Sequence, residues 1–452
     1  MKKFLLFLID LVILYASLFI TLFIRYGFRF KDLIDIHLIP FTLVFILWLI
    51  IFYIANLYNI SGQKNEPIFY SYYFKTIAIA GAFAIAFFYL TQFSGIAPKR
   101  NLFIFIAVFS ILDFLARYGF NRLIISETFK NNIIIVGLNQ QSIDLIKFIK
   151  SNLQLGYRLK YIYDISSLNI TSPGLEGFGI INDLNHLNNI LKNKEVQSVI
   201  LSPQAYQIPH IIDIFYKALD KKIGFYNLSN FYERLTSKVP LGAIDQVWFL
   251  ENLSEDTKRG YEILKRSLDV IFALIVGVIS LIFYPFVILA IKWTSAGPIF
   301  YKQQRVGQGG RAFEIIKFRT MVKDAEKDGA IWAQENDPRI TKIGRFLRKT
   351  RLDELPQIWN ILKGEMSFVG PRAERPEFHT KLAKTVPFYE ERYLIKPGLT
   401  GWAQIQFRYG ASVADTQEKL QYDLYYIKHR SFILDLGIIL KTINIVLRRG
   451  GR

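Results

Sequence analysis

Four apolar runs of about twenty residues crowd the start of the chain, at 4–24, 39–58, about 75–93 and about 102–120. Each is close to the roughly 20 residues that a helix needs to cross a bilayer. A chain that carries them must bury them in lipid, and four crossings return it to its starting side. The first run begins Met1-Lys2-Lys3 and has no small-residue cleavage site, which predicts an uncleaved anchor rather than a removed signal peptide. Loop charges orient the anchor poorly, because Arg29, Lys31, Lys99 and Arg100 fall in loops that a cytoplasmic N-terminus would place outside. Asp113 and Arg117 lie inside the fourth run, one helical turn apart. They fit an ion pair or the interfacial end of the helix, and packing outweighs a functional role.

The rest of the composition fits a membrane enzyme. At 452 residues two or three domains are expected, and 52% hydrophobic content with a formal charge of +19 suits anionic lipid and phosphate partners. Nucleic acid is the competing explanation of such a charge, but the apolar runs and the lack of a nucleic-acid motif argue against it. The absence of cysteine excludes disulfides and thiolate metal sites. The five histidines, His37, His186, His210, His379 and His429, are scattered without ligand spacing, which argues against zinc.

Past residue 130 the pattern changes. Asn132-Ile-Ile-Ile-Val-Gly137 is a buried-strand run followed by the helical stripe Ile143, Ile146, Phe148 and Ile149; 196–202 and 222–226 give further strands. An α/β domain over 126–255 follows. Only Gly137 of a dinucleotide fingerprint is present, with Asn139 and Ser142 in the other two glycine positions, so a structural or regulatory role is expected over cofactor binding. Residues 263–293 form another apolar run, with Lys265, Arg266 and Asp269 at its entrance and Tyr284-Pro285 inside. Proline allows either a kinked span or a re-entrant hairpin.

The chemistry concentrates later. Arg339, Lys342, Arg345, Arg348, Lys349 and Arg351 are interleaved with Ile340, Ile343, Phe346 and Leu347, an amphipathic pattern that suits a headgroup layer. Arg351-Leu-Asp-Glu-Leu-Pro-Gln-Ile-Trp-Asn360 follows, with a second stripe of Leu355, Ile358, Trp359 and Leu362 and a stop at Gly364. Asp353 and Glu354 are thus expected at a helix N-terminus, where N–H groups attract phosphate. The plainer reading is a helix cap beside a solvated basic face. The last apolar run, 432–447, holds Asp435, Lys441 and Asn444, which favours an amphipathic surface helix over a fifth span.

Together with Gly297-Pro-Ile-Phe-Tyr-Lys-Gln-Gln-Arg-Val-Gly307, Phe313-Glu-Ile-Ile-Lys-Phe-Arg-Thr-Met321, Lys363-Gly-Glu-Met-Ser-Phe-Val-Gly-Pro-Arg372 and Lys396-Pro-Gly-Leu-Thr-Gly-Trp-Ala-Gln404, this segment closely resembles the bacterial sugar transferase family, the monotopic phosphoglycosyl transferases. Residues 408–415 and the stretch from Gly370 to Glu377 resemble its exopolysaccharide-priming branch. The resemblance implies a membrane protein with a four-helix transmembrane bundle (1–125), a Rossmann-like α/β domain (126–255) and an α/β catalytic domain (256–452) whose re-entrant helix breaks at Tyr284 and Pro285. Relatives often carry Ser-Pro at that break. It further implies transfer of a sugar 1-phosphate from a nucleoside diphosphate sugar to undecaprenyl phosphate on the cytoplasmic face of the bacterial inner membrane, with Mg²⁺. Asp353 would be the nucleophile, Glu354 a metal ligand or base. Arg372, Lys317, Arg319, Arg348 and Arg351 would clamp phosphate, and Thr400, Trp402 and Gln404 would shape the pocket, although a packed Trp402 in a glycine-rich turn is equally expected. A homodimer is compatible with all of this but not required.

Two rival readings remain. A membrane-anchored nucleotide-sugar dehydratase would need a glycine-rich cofactor loop and a Tyr-x-x-x-Lys pair, and 131–250 has neither. A non-enzymatic assembly scaffold gives no reason for the Asp353-Glu354 pair.

Overall fold

The computed structural model describes residues 2–91, 98–126, 130–164, 178–253, 258–322, 325, 337–407 and 412–447. Residues 408–411 of the priming-branch stretch, and Arg448 and Arg449, lie outside the described residues. The chain forms two compact units, Met1–Leu228 and Ser229–Arg452.

In the first unit the apolar runs become the helices Lys2–Tyr26, Ile34–Ile54, Pro67–Leu90 and Pro98–Ile125. The run Lys2–Ile54 and the helices Pro67–Leu90 and Asn101–Ile125 are long and apolar enough to cross a membrane. The third helix starts ahead of its apolar pattern because Pro67 stands at its beginning, where a missing N–H costs nothing. Aromatic side chains fill the space between helices, with Trp48 edge-on to Phe109 at 5.1 Å. Asp113 and Arg117 do form the ion pair within the helix, at 2.8 Å, and the first helix adds a third member. Arg117 also donates to Asp10 at 2.6 Å and to the Leu57 carbonyl at 3.2 Å, while the Tyr73 hydroxyl donates to Asp113 at 2.8 Å. All three charged side chains are fully buried. Two carboxylates and one guanidinium therefore tie three helices at one point.

The α/β region is a wholly parallel five-stranded sheet, β1 (Asn131–Val136), β2 (Tyr157–Tyr163), β3 (Gly179–Ile181), β4 (Ser198–Leu201) and β5 (Gly224–Asn227), in the order β3-β2-β1-β4-β5. Ile133 to Val136 are sealed on both faces, as central parallel strands require. β2 escaped the sequence reading because Arg158 and Lys160 interrupt its apolar pattern. Gly137, at φ +81°, turns the chain into the helix Gln140–Ser151. Asn139 and Ser142 close that helix as a reciprocal capping box, with bonds of 2.7 and 2.8 Å, and the Asn139 amide donates to Gln204 at 3.0 Å. Side chains thus fill the turn where a dinucleotide fingerprint needs bare backbone.

The second unit holds the helix Arg259–Leu281, which meets Tyr284–Thr294 at a 58° bend. Pro285 lies in the first turn of the second segment, so the break falls just ahead of the proline rather than on it. Ile271, Leu274, Val278, Leu281, Ile282 and Phe286 are all exposed around the bend, an apolar surface of the kind that water disfavours. Then come the antiparallel hairpin β6 (Phe300–Val306) and β7 (Ala312–Phe318), the short parallel pair β8 (Ser367–Val369) and β9 (Gly398–Thr400), and helices Pro376–Thr385, Val413–His429 and Phe432–Leu447.

Replacing Arg117 by Met would leave Asp10 and Asp113 buried without a counter-charge, and should cost about 3–5 kcal/mol. Thermal unfolding in detergent checks this, and an unchanged midpoint would show that the cluster does not hold the helices.

Candidate active site

The basic stretch forms the helix Lys342–Thr350, capped by the Thr341 hydroxyl on the Gly344 amide at 2.9 Å. Gly344 lies so close to β7's continuation that a Cβ there would stand 1.9 Å from the Thr320 carbonyl oxygen. Arg351, at φ +59°, ends the helix in a left-handed kink, and Leu352–Gln357 then run as a 3₁₀ turn into the helix Ile358–Lys363. Asp353 and Glu354 occupy that 3₁₀ turn, and neither caps a helix. Both are buried, at 7% exposure each.

Three cations converge on Glu354. Lys317, from β7, donates to its Oε1 at 3.0 Å; Arg372 reaches the same oxygen at 3.4 Å, and Arg351 approaches Oε2 at 3.5 Å. Burial alone would raise the carboxyl's pKa, but these charges outweigh it and hold Glu354 well below the usual carboxylate range. Asp353 fares oppositely. Burial, and then the charge of Glu354, push it up to about 6 against the pull of Lys317, Arg348 and Arg351. Its Oδ1 is buried and has no hydrogen-bond partner among the described residues. Two adjacent carboxylates whose environments drive their pKa values apart are a candidate reactive pair.

The frame behind the pair is polar and buried. Asn360, fully buried, accepts from the Ile316 amide at 3.2 Å and donates to the Glu314 carbonyl at 2.7 Å and to Glu365 at 2.8 Å. It therefore locks the strand that carries Lys317 to the helix that follows the dyad. Arg392 donates to the Arg372 carbonyl at 3.1 Å and pairs with buried Asp423 at 2.9 Å. Gly370 precedes Arg372 where two backbones touch, since a Cβ there would lie 2.4 Å from the Lys396 carbonyl oxygen. Sequence reasoning missed Asn360, Arg392 and Asp423. It counted Trp359 on the apolar stripe, yet Trp359 is 56% exposed and its neighbours Asn360 and Ile361 face inward. The three-residue period of the 3₁₀ turn shifts the phase of the helix after it.

The other expected residues are placed elsewhere. Arg348 donates from Nε to the Thr320 hydroxyl at 2.9 Å, and its charge is felt at Asp353. Arg319 donates to the Ser295 carbonyl at 2.7 Å and packs over Gly297. Thr400 pairs with Thr442 at 2.7 Å, anchoring β9 to the last helix. The Gln404 amide makes only a long 3.5 Å contact with the Leu399 carbonyl, and its Oε1 is buried and unbonded. Trp402 is buried and donates to the Ser237 carbonyl at 3.1 Å, so its role here is packing. Arg339 is held by Asp337 at 2.6 Å. Lys317, Arg351 and Arg372 are thus the predicted cations that the fold brings onto the dyad.

Residues 260–449 match the bacterial sugar transferase family. Among similar proteins is the UDP-N-acetylgalactosamine-undecaprenyl-phosphate N-acetylgalactosaminephosphotransferase of Aeromonas hydrophila, 39% identical over 50% of this chain and 52% of its own length. The UDP-glucose:undecaprenyl-phosphate glucose-1-phosphate transferase of Xanthomonas campestris pv. campestris is 32% identical over 69% of this chain and 65% of its own. The transferase of the same name from Klebsiella pneumoniae is 31% identical over 79% and 74%. The chain therefore spans about half to three quarters of these relatives, and it belongs to the bacterial sugar transferase family.

Replacing Asn360 by Ala should strand the Ile316 amide and the Glu314 carbonyl in the interior. The expected cost is about 2–3 kcal/mol, measured by denaturant unfolding. Full stability would show that Asn360 is dispensable.

Proposed function

We propose that the protein transfers a sugar 1-phosphate from a nucleoside diphosphate sugar, a UDP-hexose, to undecaprenyl phosphate, opening exopolysaccharide, capsule or O-antigen assembly. The observation that carries this reading is the split dyad. One carboxylate is saturated by cations, and beside it stands another with an unpartnered oxygen and a raised pKa. The names of the Aeromonas, Xanthomonas and Klebsiella relatives support both substrates.

In the first step an Asp353 oxygen attacks the sugar-bearing phosphorus. A P–O bond forms, the bridging P–O bond breaks, and the nucleoside monophosphate leaves with the electron pair. In the second, a phosphate oxygen of undecaprenyl phosphate attacks the same phosphorus, and the Asp353 carboxylate is released. Two displacements give ping-pong kinetics. Lys317, Arg351 and Arg372 neutralise the anionic donor as it enters, and Arg372 and Arg351, the less buried of the three, are placed to shift from Glu354 to phosphate. The chain's donor set fits Mg²⁺ at Asp353, whose Oδ1 is free, better than at Glu354, whose oxygens already face cations. One or two carboxylates with substrate phosphates is the ordinary magnesium pattern, and the ion would offset phosphate charge.

The four N-terminal helices are read as a transmembrane bundle and the bent pair 259–294 as a re-entrant hairpin, which leaves the dyad at the cytoplasmic interface of the inner membrane. The exposed apolar side chains around the bend support this. The parallel sheet is assigned a structural or regulatory, Rossmann-like role.

Incubation with Mg²⁺ and a panel of UDP-sugars, without lipid acceptor, should give a phosphohexose adduct on Asp353 by mass spectrometry, and none in Asp353→Asn. Transfer without any adduct would mean direct displacement. Because the upward shift makes the folded state bind the proton more tightly, stability that Asp353 contributes at low pH is lost as pH rises through about 6. The attacking form is the carboxylate, so adduct formation should fall at low pH, with the limb below about 6 because Mg²⁺ at Asp353 favours the ionised form, and Glu354→Gln should move that limb lower still. A limb that stays in place would assign it to another group.

A further inference from the structure

A second cationic feature lies away from the dyad. A cavity of about 310 Å³ is bordered by Lys265 and Arg266, from the entrance of the helix Arg259–Leu281, and by Lys396 and Arg430, with Glu262 and Asp269 as its acids. Most of these charges are already spoken for. Lys265 pairs with Asp435 at 2.7 Å and Arg430 with Glu262 at 2.8 Å. Arg266 donates to the carbonyls of Ile361 and Leu362 at 2.6 and 2.8 Å, which are neutral acceptors. That leaves Arg266 and Lys396 opposite Asp269 alone. Both flank Gly364, where a Cβ would stand 3.5 Å from Arg266 Nη2 and 3.6 Å from Lys396 Nζ. Burial, and then the neighbouring Arg266, weaken the hold of Lys396 on its proton against the pull of Asp269 and Glu262.

The cavity shares Lys265 and Asp269 with an apolar crevice. Leu264, Leu268 and Phe272 form one wall of that crevice, and Phe432, Leu436 and Ile439 of the last helix form the other. A polar end with one surplus positive charge therefore opens onto an apolar slot, beside helices whose Ile263, Ile271 and Ile433 are exposed.

We propose that this is a binding site for an anionic phospholipid of the bilayer, its phosphodiester held by Lys396 and Arg266 and one acyl chain lying along the exposed Leu264, Phe272, Phe432 and Leu436 at the mouth of the crevice, whose interior of about 30 Å³ is too small to enclose it. A single surplus charge matches a phosphodiester monoanion better than a phosphomonoester, which carries nearer two charges at neutral pH. The site also stands apart from the chemistry. Arg266 grips the last turn of the helical stretch that begins at Leu352, so about nine residues of helix separate it from Asp353, on the order of 15 Å. A lipid phosphate there is not in position to attack, which distinguishes it from the acceptor. The bound lipid would clamp the entrance helix to the last helix and to the 394–396 turn. This inference rests on the interfacial placement of the entrance helix proposed above, and not on the transfer reaction.

The test is native mass spectrometry of the full chain in mild detergent, titrated with phosphatidylglycerol, phosphatidylcholine or undecaprenyl phosphate, alongside Lys396→Gln and Leu436→Asn. One phosphatidylglycerol should be retained in preference to phosphatidylcholine, with affinity reduced about fivefold by Lys396→Gln and also reduced by Leu436→Asn, both variants melting like the parent. Equal retention of phosphatidylcholine, or no effect of Lys396→Gln, overturns the proposal. So does one-for-one displacement by undecaprenyl phosphate, which would make this the acceptor's seat. Release of nucleoside monophosphate from UDP-sugar in the same samples reports the transfer reaction separately. Its absence alongside selective phosphatidylglycerol binding supports the lipid site while removing the transferase reading.

Discussion

The grip of Lys317, Arg351 and Arg372 on Glu354 organises the second unit. These cations come from a hairpin strand, a left-handed kink and the turn after β8. A buried carboxylate among them offsets their mutual repulsion, and they in turn keep it ionised. Asp353 then inherits a peculiar setting. It feels the fixed negative charge next door but receives no hydrogen bond on one oxygen from the described residues. Its raised pKa is thus a consequence of how its neighbour is stabilised.

Buried polar groups recur wherever segments distant in sequence must be held in register. Asn360 joins strand to helix, Arg392 and Asp423 hold the backbone of Arg372, and Asp435 gathers Lys265, Tyr261 and Tyr426. In the first unit Arg117 ties the first apolar helix to the fourth, and Tyr73 of the third joins them through Asp113. Apolar packing is tolerant of sliding, whereas a buried charge without its partner is costly, so these contacts fix register at few points. The membrane reading makes that specificity more valuable, because lipid provides no hydrophobic drive between helices.

The α/β sheet shows how a familiar framework can be closed. The glycine positions of a dinucleotide turn are held by Asn139 and Ser142, which cap the helix with their own side chains. The residues that would have left room for a pyrophosphate instead complete the fold locally.

Much of this was legible in the sequence. Apolar runs announced the four N-terminal helices, β-branched runs announced β1 and β4, and adjacent carboxylates after a basic helix announced the dyad, because hydropathy period and charge order are local properties. Which cations reach Glu354 was not local. Lys317 and Arg319 are two residues apart and strand alternation would send both to one face, yet the strand ends at Phe318, so Lys317 meets the dyad while Arg319 goes to the Ser295 carbonyl. Asp10, which neither spacing nor motif connects to Arg117, joins it only when helices pack. The sequence determined the elements and the chemical types on them; tertiary structure decided the partners, since burial and charge neutralisation depend on contacts between segments that no local pattern encodes.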